Sequence, residues 1–105
     1  EVSALRDEAD IIITNPPFNK AEEFLDKALS LVKLGRRIFF LLKIQFLEGL
    51  KRRKIFNKCP PRSVAVYSKR ILCGKNANFC GGKTMCFAWF VWEKGFIGKP
   101  QILWI

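Results

Sequence analysis

Asp10-Ile11-Ile12-Ile13-Thr14 is a continuous run of apolar, mostly β-branched residues. Such a run predicts a strand buried on both faces, as in a parallel sheet. It stops at Asn15-Pro16-Pro17, where two prolines remove backbone donors and end a ladder. The period then changes. Phe24, Leu25, Ala28, Leu29, Leu31 and Val32 recur with helical spacing and define one apolar side. Asn19 is the expected N-cap, and Glu22, three residues later, completes a capping box. Glu22 and Glu23 fall in the first turn, where the helix dipole favours acids. Lys33 falls in the last turn, and Gly35 is the expected left-handed stop.

Residues 37–42 form a second buried-strand pattern, and residues 46–56 a basic, moderately helical one that ends at Pro60-Pro61. Ser63-Val64-Ala65-Val66-Tyr67 predicts a third strand. A polar, glycine-containing connection covers residues 69–84. Cys86-Phe87-Ala88-Trp89-Phe90-Val91-Trp92 predicts a fourth strand, apolar on both faces, and residues 95–105 form a tail with an apolar end. The order strand, helix, strand, helix, strand, strand predicts an α/β fold. Three strands should run parallel through right-handed helical crossovers. The last lacks a crossover and should run antiparallel. There is no internal repeat and no low-complexity segment.

Composition narrows the class. The chain has 105 residues, half of them hydrophobic, so a packed core is expected and disorder is not. Its polar, acidic opening is not a secretory leader, and its apolar runs are too short to span a bilayer. A soluble, cytoplasmic protein is the expectation, and the initial Glu1 suggests a piece of a longer product. The formal net charge is +10, unevenly spread. Residues 1–35 hold seven of the nine acids, and beyond them only Glu48 and Glu93 are acidic. A basic field of this kind favours a polyanionic partner, with nucleic acid the commonest. Cys59, Cys73, Cys80 and Cys86 form no CxxC pair, and the chain lacks histidine. Zinc ligands are usually spaced more tightly, so free thiols and no metal are expected.

Asn15-Pro16-Pro17-Phe18 carries the chemistry. Asn-Pro-Pro-aromatic should arise in about one in a thousand chains of this length. It lies between the carboxyl end of a strand and a helix, where open α/β sheets place their ligands. The exocyclic amine of adenine is a poor nucleophile, because its lone pair is delocalised into the ring. Two acceptors aimed at its two N–H bonds favour a pyramidal nitrogen with a more available lone pair. The Asn15 side-chain oxygen and the Pro16 carbonyl can be those acceptors, and the prolines fix the backbone that carries the second. This is preorganised electrostatics rather than general-base catalysis. Phe18 offers a ring face on which a flat base can stack. The alternative is a Pro-Pro turn that only ends a strand, with Phe18 in the core.

Residues 10–18, the Ala21-Glu22-Glu23-Phe24 helix start and the strand from Phe87 to Gly95 together resemble the S-adenosylmethionine-dependent DNA adenine-N6 methyltransferases of the Rossmann-like class, phage and prophage members included. The resemblance covers nearly the whole chain. It implies that Asn15 and Pro16 bind the target amine, that Pro17 shapes the loop and that Phe18 stacks on the base. Asn15 and Pro17 would also meet the methionine part of S-adenosyl-L-methionine. In that family a cofactor-binding half comes first, with a glycine-containing turn and an acidic residue for the ribose. Nothing before Asp10 supplies these, and Gly81-Gly82 precedes a strand rather than a helix. The chain thus resembles strands four to seven of the fold, a single domain or half-domain.

Residues 11–14 would then form an open sheet edge that pairs with a complementing half or with a second copy. Lys43, Gln45, Lys69, Arg70, Lys75 and Lys83, with Asn76 and Asn78, leave the strands at the same end as Asn15 and are candidates for nucleic-acid contact. Lys51-Arg52-Arg53-Lys54 reads as a basic helical face that could touch phosphate. Trp89 and Trp92 read as strand core. Two other readings stand beside the DNA enzyme: the same chemistry on RNA or on a protein glutamine amide, and an inactive remnant that keeps the fold and some nucleic-acid affinity.

Overall fold

A computed structural model describes residues 9–68 and 86–105. Strand β1 (Ala9–Thr14) leads through Asn15-Pro16-Pro17 into a 3₁₀ turn (Phe18–Lys20) and helix α1 (Ala21–Leu31). Strand β2 (Val32–Lys43), a second 3₁₀ turn (Ile44–Leu47) and helix α2 (Leu50–Lys58) follow. Strands β3 (Ser63–Val66), β4 (Phe87–Glu93) and β5 (Gln101–Trp104) complete one five-stranded sheet in the order β1-β2-β4-β3-β5. β2 runs parallel to β1, and β4 runs antiparallel to both β2 and β3. The expected α/β architecture is therefore present, with β4 reversed between two strands that share a direction.

The register sorts the side chains into two faces. Ile38, Phe40 and Leu42 of β2 stand opposite Trp92, Phe90 and Ala88 of β4, and Val64 of β3 stands opposite Phe90. All of these are buried and form one cluster with Ala21, Leu25 and Ala28 of α1 and Ile55 of α2. Both helices therefore cover the same face. Phe46 closes this core at the end where β2 stops. It is almost fully buried and meets Phe18, Phe56 and Phe90 edge-to-face, at 6.0, 5.6 and 5.4 Å between centroids. Such perpendicular contacts suit the ring quadrupole.

The other face carries the row Ile13, Phe39, Val91 and Ser63, and beside it Leu41, Trp89, Ala65 and Leu103. A groove of about 390 Å³ lies on the helix side, lined by Ile12, Phe24, Leu31 and Phe40 among others. A groove of about 370 Å³ lies on the other side, lined by residues of the strands alone. On this second face Val91 alone of the described strand residues is buried, so the expectation of strands buried on both faces holds fully on the helix side only. β1 sits at one end of the sheet, with Ile11 54% and Ile13 60% exposed.

Several element boundaries differ from the pattern-based expectation. Asn19 does not cap α1. The Lys20 N–H donates to the Pro17 carbonyl at 3.0 Å and closes the 3₁₀ turn, so Asn19 is already inside a turn when α1 begins at Ala21. Gly35 has the expected positive φ, +83°, but it does not stop the helix. Val32, β-branched and fully buried, pairs with Ala9 and starts β2 three residues earlier. Gly35 then lies where the register slips between Val32 and Arg37. The second helix begins at Leu50 rather than near residue 46, because Gly49 (φ +104°) separates it from the 3₁₀ turn that buries Phe46. The tail adds a fifth strand. β5 runs parallel to β3 and uses a free edge that the sequence pattern did not disclose. No helix among the described residues is long and apolar enough to cross a membrane.

Because Phe46 joins three elements, Phe46→Ala should remove about 3–5 kcal/mol of stability. Urea unfolding followed by far-ultraviolet circular dichroism measures this. A loss below about 1 kcal/mol would show that the cluster does not hold this end of the core.

Candidate active site

β1 delivers Asn15 at its carboxyl end, and the two prolines then turn the chain into α1. Pro16 is buried, which wedges the loop against the body of the protein, whereas Asn15 and Pro17 are exposed. Pro17 has φ −56° and ψ 134°, and its carbonyl is occupied by the Lys20 N–H. The Pro16 carbonyl accepts no hydrogen bond among the described residues, and neither does the Asn15 side chain. Two oxygen acceptors on adjacent residues are therefore free at the mouth of the loop.

Phe18 is half-buried, with its ring set against the Phe46 ring at an interplanar angle of 80°. Two cations approach it. The Lys43 Nζ at the end of β2 lies 5.6 Å from its centroid, and the Arg52 guanidinium of α2 lies 4.5 Å from the centroids of both Phe18 and Phe46. Neither cation has an ion pair among the described residues. The recorded ion pairs lie toward the opposite end of β1 and β2. Asp10 meets Lys33 and Arg36, and Glu93 meets Arg37 and Arg62, at 3.1 to 3.7 Å. Exposed pairs of this kind contribute about 0–1 kcal/mol each. None of these four pairs involves Lys43 or Arg52.

The structure thus brings Asn15, Pro16, Pro17, Phe18 and Lys43 together. Gln45 is exposed in the 3₁₀ turn just beyond Lys43. Lys69, Arg70, Lys75 and Lys83 lie outside the described residues, as do Cys73 and Cys80. Arg52 belongs at the site but reads in the sequence as one member of a uniformly basic run. Its signal is spacing: Arg52, Ile55 and Phe56 share a helical face, and of residues 51–54 only Arg52 is not fully exposed. Trp92 is core, with its indole N–H donating to the Cys59 carbonyl at 3.0 Å, while Trp89 is half-buried and donates to the Tyr67 hydroxyl at 2.7 Å.

Cys59 is a free thiol. Burial pushes its pKa up, Asp26 pushes the same way, and Lys58 opposes them weakly. The group is therefore a neutral, packed thiol rather than a nucleophile. No cluster of three or more His, Cys, Asp or Glu side chains suited to a metal occurs among the described residues.

No protein-family model and no curated protein matches the chain. Solved structures do. A Listeria monocytogenes protein assigned to the class I S-adenosylmethionine-dependent methyltransferases matches 95% of this chain with a TM-score of 0.53 and 14% identity. M1.HpyAVI, solved as a SAM complex, matches 91% of the chain at 18% identity and covers 56% of its own length, with a TM-score of 0.45, too loose to bear on the fold. The likeness is one of fold, between this five-stranded α/β sheet and part of the Listeria structure. The chain spans 37% of the length of the Listeria protein.

The polar ribose and adenine of S-adenosylmethionine call for a strand–turn–helix with a close backbone approach, and the positive-φ glycines among the described residues are elsewhere. Gly35 lies within β2, Gly49 follows a 3₁₀ turn, and Gly95 and Gly98 follow β4.

The Cys59 environment has a measurable consequence. With its folded pKa raised above the unfolded value, its contribution to stability is present below the unfolded pKa and is lost as pH rises through the folded one. Cys59→Ala should therefore flatten the fall in stability between neutral and strongly alkaline pH. Chemical unfolding of both proteins across that range checks it, and equal slopes would contradict the burial argument.

Proposed function

We propose that this chain is the acceptor-binding part of an S-adenosylmethionine-dependent methyltransferase that acts on the exocyclic N6 amine of adenine in DNA. The observation that carries the reading is the pair of unengaged acceptors, the Asn15 side-chain oxygen and the Pro16 carbonyl, at the carboxyl end of β1 beside Phe18. A primary amine on a flat ring presents two N–H bonds, and these two oxygens can accept both. That interaction draws the nitrogen toward a pyramidal shape and frees its lone pair for methyl transfer. The buried Pro16 holds its carbonyl without reorganisation. Phe18, fixed from one side by Phe46, offers its remaining ring surface to the base. S-adenosyl-L-methionine would supply the methyl group, with Asn15 and Pro17 nearest to its methionine end.

The unpaired Lys43 and Arg52 favour a polyanionic acceptor over a protein amide. RNA shares that charge, and the assay below distinguishes it. The remaining cofactor contacts would come from a complementing half docked at β1. Supporting this, Ile11 and Ile13 are exposed at a sheet edge flanked by an apolar groove on each face. A strand added there would be covered above and below.

Transfer of labelled methyl groups from S-adenosyl-L-methionine to unmethylated DNA or RNA, with and without the upstream half, tests the reading. Asn15→Ala should abolish transfer in the complemented enzyme. It should alter stability by less than about 0.5 kcal/mol, since the side chain is exposed and unbonded. Full activity in that variant would remove Asn15 from the chemistry. The docking edge is tested separately by amide exchange. Amides of residues 11–14 should be protected when the complementing half is added, and fast exchange in a monodisperse monomer whatever is added would rule that edge out.

A further inference from the structure

Arg52 is held in an unusual setting for a cation in so basic a chain. Its guanidinium lies 4.5 Å from the centroids of two mutually perpendicular rings, Phe18 and Phe46. Cation–π attraction accounts for the position and is worth more where water is partly excluded, as it is for this half-buried side chain. A guanidinium over a ring still has its N–H donors around its edge, and Arg52 has five of them. None is engaged by a carboxylate or a carbonyl among the described residues. Asp10 and Glu93, which pair with four other cations, lie toward the other end of β1 and β2. Lys43, also without an ion pair among the described residues, stands 5.6 Å from the same Phe18 ring.

We propose that Arg52 is a phosphate-binding residue of the acceptor strand, held by Phe18 and Phe46 so that the nucleotide backbone is fixed in register with the Asn15-Pro16 acceptors. The assignment rests on the nucleic-acid reading of the site and adds a residue to it. The physical case has two parts. A planar fork meets a phosphate through two parallel N–H···O bonds, a geometry that lysine cannot offer. Its position against the rings is also set before substrate arrives, so less side-chain freedom is lost on binding. Phosphate contacts of this kind position a strand without reading its sequence. Arg52 would thereby couple two tasks. The Phe18 ring that packs against the base would share its surface with the group that holds the adjoining phosphate. Lys43 adds a second positive charge near the same ring as a point charge.

Binding of oligodeoxyadenylate and oligodeoxythymidylate of equal length, followed by fluorescence anisotropy over a range of salt concentrations, tests this. The probes share their phosphates and differ in the base. Arg52→Gln should weaken binding of both equally. It should also reduce the slope of log affinity against log salt by about 0.7, the value of one phosphate contact on a single strand. Arg52→Lys should restore the slope, because the charge returns, while affinity stays below that of the native protein because the fork does not. Arg52→Met keeps the aliphatic stem against the rings and should repeat the result of Arg52→Gln if that variant folds poorly by circular dichroism. An unchanged slope in both neutral variants overturns the assignment, as does a failure of the native chain to bind either probe. A slope that Arg52→Lys fails to restore also overturns it, since a purely structural loss would not return with the charge. Failure of the adenine reading shows elsewhere, as the absence of any preference for adenylate that Asn15→Ala removes.

Discussion

The edge-to-face contacts of Phe46 tie the site to the rest of the protein. One ring touches the motif loop through Phe18, α2 through Phe56 and the reversed strand through Phe90. None of these elements is adjacent to another in the chain. The position of Phe18 is therefore set by the core rather than by its own loop, and so is the position of the guanidinium that shares both rings. Pro16 does the same for the backbone, because it is buried while its neighbours are exposed. Loop and core form one packed unit, which is what a preorganised site requires.

The sheet determines where that unit faces. Alternation along β2 and β4 puts Ile38, Phe40, Phe90 and Trp92 on the helix side, and Phe39, Leu41 and Trp89 on the side without helices among the described residues. Charge follows the strand direction instead. Carboxylates are satisfied toward the amino ends of β1 and β2, and cations are left unsatisfied at the carboxyl ends. Packing and electrostatics are thus arranged along different axes of one sheet. Lys43 and Arg52 stand beside Phe18 on the side where the Asn15 acceptors lie.

Much of this was legible in the residues. The β-branched run ahead of Asn15-Pro16-Pro17-Phe18, and the lack of a helical crossover before the last core strand, were enough for the α/β class and for the reversed strand. The misreadings have local causes. Asn19 and Glu22 have the chemistry of a capping box, but Pro17 closes a tighter turn first. Gly35 has the expected left-handed backbone, yet a buried β-branched neighbour starts the strand before it. β5 was invisible because its four residues are all exposed and are held by backbone pairing with β3. Arg52 was hidden in a basic run, and only its half-burial separates it from its neighbours. The partners of the motif residues depended on tertiary contact, which no periodicity encodes.

The insertion of β4 between β2 and β3 also constrains how the protein is made. β2 and β3 have no ladder to each other, since each pairs with residues that come later in the chain. Until residues 87–93 leave the ribosome, Leu42 lacks Ala88 beside it, Phe40 has only Thr14 of β1 as a strand neighbour, and Phe46 lacks Phe90. A nascent chain that has not yet reached residue 87 therefore carries a half-built hydrophobic surface, a state that is prone to aggregation and suited to capture by chaperones. Closure of the sheet and completion of the ring cluster beneath the site become the same late event, so a chain that has not finished folding cannot present a finished acceptor site.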